Sequence, residues 1–343
     1  MDWQIQHRLH ALKVPVVASH GTVRSRLVLI LRITDGENVG WGEAAPIDGY
    51  SETTFDLCEE ALREALPGLA ACDPDEPDAT LEALAFPLPP NARAALEIAL
   101  RDLAARRKGI SVLAALGGSD SQGVALRCLL TGDDPAEMRN AAIDAKTLGF
   151  ESYKIKLGGD SALNQRAART VREAIGINAH LSGDPNAGWT PEFAEAEIDR
   201  LSGLIDIIEQ PVPGVNAMRD LRSPRMPLAL DEAATNHAAL EVPAAANAIC
   251  LKVQAFGGID QTVSAAVKAR DAGLAVLLGS TLEGAVGMAA SLVAAQLIQP
   301  DLASGLSTLD LFDDTFPAFR LDPRAAYAPQ GPGLGTDPDG SPC

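Results

Sequence analysis

Tyr153-Lys154-Ile155-Lys156-Leu157 sets two lysines one residue apart in an otherwise apolar run. In an extended strand alternate side chains share a face, so Lys154 and Lys156 point one way and Tyr153, Ile155 and Leu157 the other. A lone Lys-x-Lys is most often the solvated face of an edge strand. Two ammonium groups on the inner side of an apolar strand are different, because a buried charge needs a partner or a task. The segments around this one decide between the two readings.

Outward from it, short apolar strands alternate with helical stretches at a spacing of about 20 to 30 residues, the rhythm of βα units. The strands are Val124 to Leu130, Ser152 to Leu157, His180 to Asp184, Ile205 to Glu209, Leu228 to Asp231, Ala248 to Lys252 and Ala275 to Gly279. Helices fit at Pro135 to Leu148, Leu163 to Ile175, Pro191 to Leu201, Ile259 to Ala272 and Gly284 to Leu297. So long a series predicts an α/β fold with a modified (β/α)8-type, TIM-like barrel rather than an open doubly wound sheet. No G-x-G-x-x-G follows a strand and no Walker-type loop is present, which argues against nucleotide binding.

Before the series, two strands are predicted between Gln4 and Ile33, joined by a surface loop from Val14 to Gly21. A hairpin turn at Asp35-Gly36 leads to a third strand ending at Pro46. Helices are expected from about Glu52 to Leu66 and, with amphipathic character, from Ala92 to Arg107; Cys72 to Pro90 reads as loop. The hydrophobic share is 47% and the net charge is −18, from 28 basic and 46 acidic residues. That charge repels nucleic-acid phosphates and anionic membrane surfaces. No apolar run reaches membrane-spanning length and no signal core is visible, so a soluble cytoplasmic protein is expected. Five scattered cysteines without C-x-x-C spacing predict reduced, structural thiols.

The polar residues of the series fall at the carboxyl ends of its strands, where barrels carry their chemistry. Lys154 and Lys156 close one strand, Asp184 with Asn186 the next, then Glu209, Asp231 with Glu232, and Lys252. One such residue is ordinarily a solvated cap; five strand ends in register point to a site. Asp184, Glu209 and Asp231 together would repel unless a hard divalent cation such as Mg2+ bound them. A lysine beside a dication and another lysine has its pKa pushed down, which suits a general base. These parts suit abstraction of a proton next to a carboxylate.

The order Lys-x-Lys, Asp-x-Asn, Glu-Gln-Pro, Asp-Glu, then Lys followed by Gly-Gly resembles the muconate lactonizing enzyme subgroup of the enolase superfamily, over nearly the whole chain. Gly40 to Pro46 and the helix Ala95 to Leu103 resemble that family's α+β capping domain, and Gly331 to Gly335 the segment that returns to it. The resemblance implies a capping domain at 1–117, a (β/α)7β barrel at 118–320 and a return segment at 321–343. It implies Lys156 and Lys252 as the acid/base pair, Asp184, Glu209 and Asp231 as ligands of Mg2+ (with Mn2+ as a substitute), and Lys154 as the neutraliser of a substrate carboxylate. Asn186, Ser280, Thr281 and Glu283 are the expected substrate-pocket residues, and the loop around Ser19-His20-Gly21 the lid. The expected partner is a small-molecule carboxylic acid, with self-association into a homo-oligomer.

Departures bear on the reaction. Ala233 stands where the family often has Ser, so a supporting hydrogen bond is expected to be missing; Glu232 either pairs with a lysine or faces solvent. Lys252 disfavours the mandelate racemase branch, and Gly305 to Phe312 lacks the Asp-x-Asp of dipeptide epimerases. That run and Ala45 to Thr53 resemble o-succinylbenzoate synthases, which makes dehydration to o-succinylbenzoate the leading reaction. The alternatives are N-acylamino acid racemase, dipeptide epimerase or muconate cycloisomerase, and, in another class, a non-catalytic anion- or metal-binding barrel. Gly257-Gly258 is expected to serve backbone geometry rather than to bind a substrate carboxylate.

Overall fold

Strand β1 (Asp2–Ala18) pairs antiparallel with β2 (Gly21–Thr34), and β2 with β3 (Val39–Ala44). The computed structural model describes the chain except residues 19–20, 48, 52, 85–86, 133, 222–225 and 235–245. The lid expected around Ser19 and His20 thus lies outside the described residues, as do Asp48 and Glu52 of the synthase-like run. The loop predicted from Val14 is instead strand as far as Ala18. β-branched valines keep the chain extended, and Pro15 falls in the break of register between Ala11 and Val16, where no ladder hydrogen bond is asked of it.

On this sheet lie α1 (Phe55–Ala65), α2 (Pro77–Ala83) and α3 (Pro90–Arg107), followed by the short α4 (Val112–Ala115). Thr54 caps α1 by accepting from Leu57 N. α2 interrupts the stretch predicted as loop, starting at Pro77 with Asp78 in its first turn, both favoured at helix starts. α3 departs from the amphipathic expectation: it is buried on nearly every side, including Glu97, Arg101 and Asp102. Gly40 and Gly42 let it press on β3, since a Cβ at either would run into the carbonyls of Ala99 and Ala95.

The second sheet is parallel, in the order β10-β9-β8-β7-β6-β5-β4. Its strands are β4 (Cys128–Leu130), β5 (Ser152–Lys156), β6 (His180–Asp184), β7 (Ile207–Glu209), β8 (Leu228–Leu230), β9 (Ala248–Leu251) and β10 (Ala275–Leu278). Ser304 bridges to Leu126 and Gly305 to Gly279, both parallel, so this short piece acts as an eighth strand and closes the barrel. The long helices are α5 (Pro135–Leu148), α6 (Ser161–Ile175), α7 (Pro191–Leu201), α10 (Ile259–Asp271) and α11 (Ala285–Ile298). Like α4, the short helices α8 (Val215–Asp220) and α9 (Val253–Phe256) escape sequence reading, being too brief to show a period. No described helix is long and apolar enough to cross a membrane.

Buried carboxylates of the first unit cap helices of the second. Glu43 of β3 accepts from Gly284 N at 2.6 Å and Gly287 N at 2.9 Å, at the start of α11. Glu97 of α3 accepts from Ile259 N at 3.1 Å, at the start of α10. The carboxylate at the Gly257-Gly258 turn is therefore the protein's own. Asp102 accepts from Leu334 N at 2.7 Å and Trp41 N at 2.8 Å, which fastens the returning tail to β3.

Candidate active site

With eight strands in the barrel, β5 is the second and β9 leads to the sixth strand end, so Lys156 and Lys252 start from opposite walls. The three strands between them end in Asp184, Glu209 and Asp231, whose exposures are 1%, 0% and 2%. Tyr153 and Ile155 pack outward into the core, and both lysines of β5 face inward. Lys154 Nζ lies 2.6 Å from both Asp184 Oδ2 and Glu209 Oε2. Lys156 Nζ donates to Asp184 Oδ2 and Asn186 Oδ1, each at 2.8 Å. Lys252 Nζ pairs with Asp231 Oδ1 and donates to Tyr50 Oη at 2.8 Å.

Local backbone geometry holds these groups. Asn186 and Gln210 have positive φ, 49° and 36°, strain of the kind that collects at functional sites. Asn186 N donates to Asp184 Oδ1 at 2.8 Å, and its side chain donates to Glu232 Oε1 at 2.8 Å. Glu232 thus pairs with Asn186 rather than a lysine or solvent; burial first, then Asp231 and Asp184, push its carboxyl up to about 8. Ala233 has no side-chain donor, and the turn it sits on is held through its backbone from another strand. Gln210 Oε1 accepts from Asp231 N at 3.0 Å and Ala233 N at 3.2 Å.

The electrostatics are those of ion-paired lysines. Burial alone would lower the Lys154 ammonium, but Asp184 and Glu209 override it and hold it well above the ordinary lysine value. Burial likewise opposes the charge on Lys252, and Asp231 raises it nonetheless. Burial works against the Asp184 carboxylate too, and Lys154 with Lys156 hold it below the usual range. Lys154 and Lys252 are thus held charged by the carboxylates they neutralise.

A cavity of about 490 Å3 opens over this cluster, bordered by Lys154, Lys156, Asp184, Asn186, Asp231 and Lys252. Ser280 reaches the cavity, whereas Thr281 and Glu283 lie behind it. Glu283, 1% exposed, accepts from Thr281 N, Ser280 Oγ and Ser291 Oγ, and so pins the turn after β10. Two residues of the site were not singled out from sequence. Arg127 is buried in the barrel on Glu209; its signal was one charge in an apolar strand. Tyr50 comes from the loop after β3, about two hundred residues from its partner Lys252, and no spacing announces that.

The donor chemistry suits a hard divalent cation. Glu209, Asp231 and Cys250 each bring one atom within 4.8 Å of the others. Burial pushes the Cys250 thiol far up, and a protonated thiol is a poor ligand for a hard ion. Asp184 stands on the other side of Lys154, whose ammonium occupies the point between Asp184 and Glu209. The oxygens of Asp184, Glu209 and Asp231 therefore fit Mg2+ better than a softer metal.

Comparison with known proteins bears on this arrangement. Residues 1–117 match the mandelate racemase/muconate lactonizing enzyme N-terminal domain, and residues 137–341 match the enolase C-terminal domain-like family. The chain belongs to the muconate lactonizing enzyme group of the enolase superfamily. This enolase-superfamily enzyme is 29% identical to the L-Ala-D/L-Glu epimerase of Clostridium acetobutylicum, over 98% of each chain. It is 30% identical to a chloromuconate cycloisomerase of Cupriavidus necator, over 95% of this chain and 92% of that one. The crystal structure of the dipeptide epimerase of Cytophaga hutchinsonii, complexed with Mg and the dipeptide D-Ala-L-Val, superposes with a TM-score of 0.87. That pair is 26% identical and covers 97% of this chain and 94% of the other. Membership in a family of enzymes sets aside the non-catalytic barrel.

Proposed function

We propose that this enolase-superfamily enzyme moves a proton at the carbon next to a carboxylate, with Lys156 and Lys252 as the acid/base pair. The observation that carries this reading is their placement on opposite barrel walls, facing one cavity, with three buried carboxylates between them. Asp184, Glu209 and Asp231 would hold Mg2+, and Lys154 would accompany the substrate carboxylate. Bound there, Mg2+ supplies positive charge against the negative charge that a carboxylate gains as its α-proton leaves. Asn186 orients Lys156, and Tyr50 orients Lys252. Lys252 acts as a base only once Asp231 no longer holds it protonated.

Two bases on opposite faces suit withdrawal of a proton from one face and delivery to the other, which inverts the carbon. Dehydration needs no second base. Two epimerases stand among the relatives beside the cycloisomerase, and the two opposed bases make racemisation or epimerisation the net reaction the geometry supports best. Val16, Ile47, Leu129, Phe150 and Leu282 border the cavity, which favours an acid with an apolar arm such as an N-acylamino acid or dipeptide. Dehydration to o-succinylbenzoate stands second, in keeping with a run that borders the cavity through Ser307, Thr308 and Asp310 and carries no Asp-x-Asp. Product analysis with both enantiomers of such acids, with the cyclohexadiene hydroxy acid and with muconate separates these readings. Inverted configuration is expected; water loss from the hydroxy acid alone would transfer the assignment to the synthase, and lactone formation alone to the cycloisomerase.

A further inference from the structure

Arg127 immediately precedes β4, and its side chain is 4% exposed. It lies between the catalytic cavity and a second cavity of about 180 Å3 toward the amino-terminal end of the barrel, which Ser152, His180 and Leu277 also border. The guanidinium donates to Glu209 Oε1 and, at 3.2 Å, to Ser182 Oγ. Ser182 donates in turn to the carbonyl of Tyr153 at 3.1 Å, so the arginine is anchored to the barrel wall. The other oxygen of Glu209 is held by Lys154 at 2.6 Å.

The two cations on Glu209 are not equivalent. Lys154 borders the open cavity and has rotatable donors, so it can turn to an incoming anion. Arg127 is enclosed, forked and permanently charged. With Oε1 tied to Arg127, Glu209 has one oxygen to offer a ligand. A fixed positive charge one carboxylate away from a dication weakens that dication's binding, and it also relieves the carboxylate repulsion that would otherwise draw the dication in.

We propose that Arg127 is a positioning residue that limits Glu209 to one free oxygen and keeps the Mg2+ affinity of the centre low; this rests on the metal reading given above. Calorimetry with Mg2+ on the full chain tests it. Arg127→Met is expected to bind Mg2+ about tenfold tighter or more. Its melting temperature should fall in EDTA, where Glu209 is left unpaired, and should rise on Mg2+ addition by more than that of the parent protein. A purely structural arginine would lower both melting temperatures alike, and unchanged or weaker Mg2+ binding would overturn the proposal. A measurement without any variant serves if Arg127→Met does not fold. In a crystal structure of the Mg2+ complex, Glu209 should ligate through one oxygen with Arg127 on the other; a bidentate Glu209 or a displaced arginine would overturn it. Absence of any Mg2+ binding by the parent protein would overturn the metal reading itself.

Discussion

Lys154 and Lys156 share one face of β5, yet their surroundings differ. Lys154 bridges two buried carboxylates, and Lys156 shares Asp184 with Asn186 and is the more exposed, at 25% of its side chain against 13%. Lys154 is thereby a counter-charge, and Lys156 a group able to reach the cavity. Asp184 receives both lysines, as Glu209 receives Lys154 and Arg127. Asp184→Asn should weaken Mg2+ binding about a hundredfold or more by calorimetry, since even supporting groups of metal sites cost 10–100-fold; unchanged affinity would remove Asp184 from the ligand set. The lysines were legible because their charges in an apolar strand coincide with polar residues at the ends of the strands that follow. Arg127 carried the same signal but lacked a second cation one residue away to mark its face. Tyr50 was illegible because its role depends on a contact between units that local patterning does not encode.

The elements that matter beyond the barrel strands are β3 and α3, whose acids cap α11 and α10. Glu43 is fully buried, and burial, opposed by the amides of Gly287 and Gly284 and reinforced by Glu283, pushes its carboxyl up to about 7 from the ordinary 4.5. A raised carboxyl pKa means that the folded state binds the proton more tightly than the unfolded chain. The stability it contributes is therefore fully present below pH 4.5, declines as pH rises to about 7, and is level above that. The decline amounts to roughly 3 kcal/mol. Urea unfolding of the parent and Glu43→Gln at a series of pH values should show the variant gaining on the parent between about pH 5 and pH 7; a constant difference would contradict the protonation argument. Element reading succeeded where start signals were strong, as at Pro135 and Pro191, each the first residue of its helix. It failed at β1, where Pro15 suggested a loop and the flanking valines prevailed; at α3 the helix was found but not its burial, because its buried acids serve contacts that only the folded chain supplies.

At the scale of the whole molecule, the barrel converts sequence order into opposition. Residues four strands apart in a closed set of eight face each other, and the strands between can present a charge cluster to whatever is held there. The closed barrel was legible from the rhythm of strands and helices; the strand that closes it was not, because Ser304 and Gly305 make too short a strand to show a pattern. The central claim is that Lys156 and Lys252 each serve one face of the same carbon. Incorporation of solvent deuterium at the α-carbon, with Mg2+ in D2O and both enantiomers of N-acylamino acids and dipeptides, tests it most directly. The parent protein should exchange the α-hydrogen of both enantiomers, Lys156→Ala should lose exchange from one, and Lys252→Ala from the other. Exchange of both enantiomers at the parent rate in either variant, or none in the parent protein, would contradict the account.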